Sequence, residues 1–134
     1  MIILVFALYL SFIIYIAMGL FRLPKEKPLA CCNEKVTVVM AVKNEAKSIK
    51  NCLNDFLNQT YKNVEFIIVD DNSTDETASF VRSSQLYSTG RLKFLSAIGN
   101  GKKSAIKQAI SEANTEIILT ADADVSYPRT WVSA

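Results

Sequence analysis

Histidine is missing from this sequence altogether. Its absence excludes imidazole as a general acid, general base or metal ligand within the chain. Any bound metal would have to be held by oxygen, which favours magnesium or manganese over zinc. Cysteine is scarce. Cys31, Cys32 and Cys52 form no C-x-x-C pair and no disulfide framework, so they read as reduced thiols of structural or incidental standing. Glycine is scarce too, at four residues. No Gly-x-Gly-x-x-Gly follows the first expected strand, which argues against a dinucleotide-binding Rossmann domain. Gly101-Lys102-Lys103 lacks the spacing of a phosphate-binding Walker loop, and Lys103 stands where that loop has Ser or Thr. The net charge is only +2 and the basic residues do not cluster, so no nucleic-acid partner is expected.

Charge is also missing from residues 1–21, MIILVFALYLSFIIYIAMGLF. As a helix this run would span about 30 Å, the thickness of a bilayer's hydrocarbon core. A cleaved signal peptide would carry a basic segment before the apolar run, and none is present. Residues 1–23 are therefore expected to form one transmembrane helix. Arg22, Lys25 and Lys27 come just after the apolar run and no Lys or Arg precedes it, which puts the globular part on the cytoplasmic side of a cell membrane. Residues 24–35, with Pro24 and Pro28, read as a linker. About 110 residues remain, enough for one small domain or part of a larger one.

In that remainder apolar strands alternate with amphipathic helices. Strands are expected at residues 35–42, 64–70, 92–95 and 116–121. Helices are expected at 45–58, 74–84 and 102–113, with Ser73 and Glu76 as a capping box before the second. The β-α-β-α-β-α-β order predicts an α/β fold: three α-β-α layers around a mostly parallel sheet with right-handed crossovers. The strand in VEFIIVDDNSTD has a continuous apolar run, as in a strand buried on both faces, and ends on Asp70-Asp71. A second apolar run, Ile117-Ile118-Leu119, leads through Thr120 and Ala121 to Asp122-Ala123-Asp124. If the two strands are parallel, both acid pairs collect at the carboxyl edge of the sheet, where open α/β sheets bind ligands.

Each group has a chemical and a structural reading. Asp122 and Asp124, two positions apart after a strand, suit one magnesium or manganese ion whose remaining ligands are phosphate oxygens; alone they are solvated turn acids. Asp70-Asp71 suit hydrogen bonds from a base or ribose, or simply the start of a helix. Glu45 leaves the first strand towards the same edge. Lys102 and Lys103 begin a helix whose N-terminus suits a diphosphate, or form a solvated face. Tyr127 and Trp131, flanking Pro128, line a pocket or cap the core.

Together these stretches resemble the family 2 glycosyltransferases, whose nucleotide-sugar-binding half has the GT-A fold. The resemblance rests on VTVVMAVKNEAKSIKNCLNDFLNQTY, VEFIIVDDNSTDET, GNGKKSAIKQAI and ANTEIILTADADVSYPRTWV, in the family's order, over residues 36–132. It implies that residues 36–134 are a partial GT-A nucleotide-sugar-binding domain of a membrane-bound member. It places Glu45 near the nucleoside, Asp71 on the base (typically uracil) and Lys102 near the nucleotide. Asp122 would face ribose or phosphate, and Asp124 would be the direct metal ligand. The implied activity is metal-dependent, inverting transfer of a hexosyl or N-acetylhexosaminyl group from a nucleotide sugar, of the UDP-sugar type, to a glycan, lipid or polysaccharide. Lys107 stands where many members have Asn. The family's catalytic base and the Gln-x-x-Arg-Trp stretch of its processive members have no counterpart; the base is expected beyond Ala134 and the chain is expected to be a fragment. The rival readings are a haloacid-dehalogenase-type phosphatase built on Asp122-x-Asp124, a response-regulator-like module and a non-catalytic membrane-anchored remnant.

Overall fold

The computed structural model describes residues 2–21 and 34–133, with side chains in the first segment described at 6 and 8–19. Arg22, Lys25, Lys27, Cys31, Cys32 and most of the expected linker lie outside the described residues. Helix α1 (Ile2–Phe21) holds 20 residues, and the side chains described in it are mostly exposed apolar groups. Among the described residues no helix is long and apolar enough to cross a membrane, so the expected transmembrane helix is not established by the fold.

The sheet has four strands, β1 (Val36–Val42), β2 (Val64–Asp70), β3 (Leu92–Ser96) and β4 (Ile117–Ala121), all parallel, in the order β3-β2-β1-β4. The chain steps outward from β1 to β3, then returns to place β4 on the other side of β1. That reversal is a topological switch point, and it opens a crevice at the carboxyl ends of β1 and β4.

Period-two alternation divides the central strands between two cores. Val38, Met40, Phe66 and Ile68 face a large cluster with Ile49, Cys52, Leu53 and Phe56 of helix α2 (Ile49–Leu57). Val81 of α3 (Thr77–Arg82) and Leu86 of α4 (Gln85–Ser88) complete that side. On the opposite face Val39, Ile67 and Val69 pack on Ala105 and Ala109 of α5 (Lys102–Ser111), where small side chains let the helix lie close to the sheet. The central run of β2 is buried on both faces as its sequence predicts; β4 is a half-buried edge. Cys52 is buried beside Met40, and burial, reinforced by the charge of Asp55, pushes its thiol up to about 12. It is a packing residue rather than a nucleophile.

Two helix starts differ from expectation, for one reason. The helix expected from residue 45 is a turn until Ile49, and the helix expected from residue 74 begins at Thr77 and breaks after Arg82. Side chains across the gap between the β1 and β2 exits take the backbone groups that would have started each helix. The Glu45 amide donates to Thr77 Oγ1 (2.8 Å) and the Ala46 amide to Asp75 Oδ2 (3.1 Å). Ser73 accepts from the Asn44 amide rather than closing the expected capping box, and Asp75 takes the Thr77 amide and hydroxyl instead. Past residue 127 the chain closes on the core with a short 3-10 turn, Trp131–Ser133, that the sequence did not suggest.

Candidate functional site

Four chain segments end at the crevice. The β1 exit brings Lys43 and Glu45, the β2 exit Asp71, the first turn of α5 Lys102, and the β4 exit Asp122 and Asp124. With Ala41, Val42 and Ala123 they line one open cleft of ≈ 300 Å³. All five candidate binding residues from the sequence, Glu45, Asp71, Lys102, Asp122 and Asp124, are therefore brought together. Asp70 is not among them: its Oδ1 accepts from the Ser73 amide at 3.2 Å and shapes the turn. Lys103 and Lys107 are exposed on α5 and do not line the cleft.

The loops around the cleft are tied to each other. Asn44 and Asn72 both adopt positive φ, 54° and 59°, a conformation that asparagine tolerates better than most side chains. Asn44 Oδ1 accepts from the Thr74 amide at 2.8 Å, which locks the β1 exit to the β2 exit. Asp71 is buried, with 4 % of its surface exposed. Both its oxygens accept from the Gly101 amide, at 3.0 and 3.1 Å, and Lys43 Nζ lies 3.6 Å away. Gly101, at φ 88° and ψ 153°, sits in a region that side-chain-bearing residues avoid, and this turn aims its amide at Asp71. Glu45 accepts from Ser48 Oγ at 2.5 Å.

The β4 exit is different. Asp122 and Asp124 are exposed on either side of the buried Ala123. Lys102 Nζ reaches across the cleft to Asp122 Oδ1 at 2.6 Å. That hydrogen bond holds the ammonium above its ordinary value, against the slight desolvation at the site, with the charge of Asp124 adding to it. Behind the acids lies Tyr127, 8 % exposed, with its hydroxyl 2.7 Å from the Asp122 amide and 3.0 Å from the Asp122 carbonyl. Burial is the main cause of its raised pKa. Its ring packs on Trp131 and Phe56, at centroid distances of 4.5 and 5.3 Å. Of the two readings given to Tyr127 and Trp131, the core-capping one describes their rings.

Sequence reasoning missed three participants: Lys43, the Asp55 carboxylate that fastens residues 126 and 127, and the Tyr127 hydroxyl. Only Lys43, a cation at a strand exit, left a signal in the local sequence. The other two depend on contacts between segments about 70 residues apart in sequence or on a ring's final orientation.

The donor set of the cleft is oxygen only. Among the described residues no group of three or more His, Cys, Asp or Glu side chains is placed to hold a metal. Asp122 and Asp124 would thus give a hard divalent cation two carboxylates at most. Such a partial shell suits magnesium or manganese, which commonly complete theirs with water and phosphate oxygens.

The chain resembles known proteins in sequence and in fold. The family model described as Glycosyl transferase family 2 matches residues 37–134. The chain is 31 % identical over 97 residues to the putative glycosyltransferase EpsE of Bacillus subtilis, across 71 % of this chain and 35 % of that protein. It is 32 % identical over 93 residues to glycosyltransferase GlyG of Streptococcus pneumoniae, across 69 % and 31 %. Among solved structures, the mannosyltransferase PcManGT from Pyrobaculum calidifontis, in complex with GDP-Man and Mn2+, matches with a TM-score of 0.75 and 28 % identity. That match covers 89 % of this chain and 36 % of the other. S. aureus TarS 1-349, in complex with UDP-GlcNAc, matches with a TM-score of 0.65 and 26 % identity, over 73 % and 29 %. The chain spans about a third of the length of these curated relatives.

Proposed function

The chain belongs to glycosyl transferase family 2, and on that premise we propose that its cleft binds the nucleoside diphosphate of a sugar donor for metal-dependent, inverting glycosyl transfer. One observation carries the reading: four segments separated in sequence deliver Glu45, Asp71, Lys102, Asp122 and Asp124 to a single cleft at the switch point of the sheet. Neighbouring structures hold UDP-GlcNAc and GDP-Man in complexes of this fold, which supports a nucleotide-sugar donor here; UDP-sugar is the donor we propose.

In this reading Asp71, already fixed by the Gly101 amide, turns an acceptor edge towards the base, and Glu45 lies near the nucleoside. Lys102 exchanges its bond to Asp122 for one to the diphosphate. Asp124, with Asp122 beside it, would hold a magnesium or manganese ion, whose bound charge would offset the negative charge growing on the departing diphosphate. The lysine ammonium works in the same direction. An acceptor hydroxyl attacks the anomeric carbon after losing its proton to a carboxylate, which we place in the part of the protein beyond the matched residues. The uncharged run at residues 1–21 and the cations after it support a membrane-anchored protein with its transferase domain on the cytoplasmic face. The family match leaves the phosphatase and signalling readings without support.

The test is calorimetric titration of the full chain in detergent micelles with UDP, with and without manganese. Manganese-dependent binding that disappears in Asp124→Ala is the expected result. Binding that is indifferent to both the metal and Asp124 would overturn the reading.

A further inference from the structure

We propose that Tyr127 is a positioning residue whose hydroxyl holds the Asp122–Asp124 loop in the shape that binds the metal–diphosphate; the inference rests on the donor-site reading of the cleft. The two acids are exposed, and Lys102, itself an exposed and flexible side chain, is a weak brace for Asp122. The backbone beneath them is held from the other side. One phenolic oxygen accepts from the Asp122 amide at 2.7 Å and donates to the Asp122 carbonyl at 3.0 Å. A single hydroxyl can serve both groups because it offers one donor and two acceptor sites. The two bonds close the loop from residue 122 to residue 127 on itself.

The phenol can act as a brace only if it cannot move, and it is anchored at both ends. Its ring packs against both Phe56 and Trp131, which also stack on each other, so the three rings form one cluster. Its backbone amide donates to Asp55 Oδ2 at 2.9 Å, and the Ser126 hydroxyl donates to the same oxygen at 3.2 Å. Beyond it, the fully buried Gln59 donates to the Pro128 carbonyl at 2.9 Å and accepts from the Val132 amide at 3.1 Å. Helix α2 and the residues just after it thus hold both sides of residue 127 and, through its phenol, set the position of Asp122. A tyrosine serving only as core would need the ring and not the oxygen, so removing the oxygen alone separates the two roles.

The deciding variant is Tyr127→Phe, made in the full chain in detergent micelles and read in three ways. Amide hydrogen exchange at Asp122 is expected to accelerate about 10-fold or more while the amides of β1 and β2 keep their rates. The manganese-dependent part of UDP affinity is expected to fall about 10-fold, the scale on which groups that orient metal ligands act. UDP binding without metal is expected to stay as it was, and the urea midpoint to move little. Unchanged exchange at Asp122 would overturn the proposal, as would faster exchange with full manganese-dependent affinity. A collapse of the urea midpoint would also overturn it, since the residue would then be acting through the core. Were the unaltered chain to bind no UDP with manganese, the donor-site reading would fall, and the exchange rates alone would decide whether the hydroxyl orders the loop.

Discussion

The exits of β2 and β4 look alike as sequence and differ as structure. Each is an apolar strand that ends in a pair of carboxylates. At β2 the acids are held by the fold: Asp70 shapes the Ser73 turn, and buried Asp71 clasps the Gly101 amide while still lining the cleft. At β4 the acids stay exposed while the backbone beneath them is held by Tyr127 and, through it, Asp55. The cause is position in the sheet. β2 lies between β1 and β3, so its exit is crowded by neighbouring loops. β4 is an edge strand, and its exit faces the open crevice. The same motif is thereby mainly architectural in one place and free for a ligand in the other.

The sharpest way to test this contrast is to remove an acid from each exit. Asp124→Ala should weaken metal-dependent UDP binding by about 100-fold, about 2.7 kcal/mol. It should leave unfolding in urea unchanged to within about 0.5 kcal/mol, as for an exposed side chain. Asp71→Ala should do what Asp124→Ala does not, destabilising the fold by about 1–3 kcal/mol because the Gly101 amide loses its charged acceptor. A stable Asp71→Ala variant would erase the distinction between the two exits. Gly101→Ala comes next. A Cβ there meets no neighbouring atom, but the backbone sits at φ 88°, so the penalty is conformational, about 1 kcal/mol. The same change should loosen Asp71 and so weaken UDP binding in parallel with stability.

The smallest effect is expected far from the cleft, where Glu65 of β2 pairs with Lys35 and accepts from Thr37 Oγ1 at 2.8 Å. Partial burial pushes its carboxyl up, but the hydrogen bonds from Lys35 and Thr37 outweigh this and leave its pKa below the ordinary value. A pKa depressed by folding adds stability above the unfolded-state value, and that stability is lost as pH falls through the folded-state value. Glu65→Gln should therefore flatten the acid side of a stability–pH profile by a few tenths of a kcal/mol (~0.3), as suits a partly exposed pair. Thermal unfolding at stepped pH would read it, and the lower pH range alone should change.

How much was legible in advance depended on the range of the interactions involved. The buried run of β2 and the alternation with helices are local patterns, so the parallel α/β sheet could be read from them. Asp71, Lys102, Asp122 and Asp124 stand at strand exits or a helix start, so parallel strands alone would bring them to one edge. Helix starts were harder to read. Whether Ser73 caps its own helix or accepts from the Asn44 amide is decided by a loop 29 residues away. Tyr127 was harder still, because an aromatic beside a proline carries the same local signal whether or not its hydroxyl finds a partner.

Residue type and order were enough to set the strands, most of the helical stretches and the sheet edge on which the acids collect. They were enough because hydrophobic periodicity and side-chain chemistry act within a few positions along the chain. Which acids are buried in backbone hydrogen bonds and which stay exposed was settled by packing at long range. A carboxylate's role depends on the amides, cations and water around it. Here the Gly101 amide comes to Asp71 from 30 residues away, and the Tyr127 amide comes to Asp55 from 72 residues away.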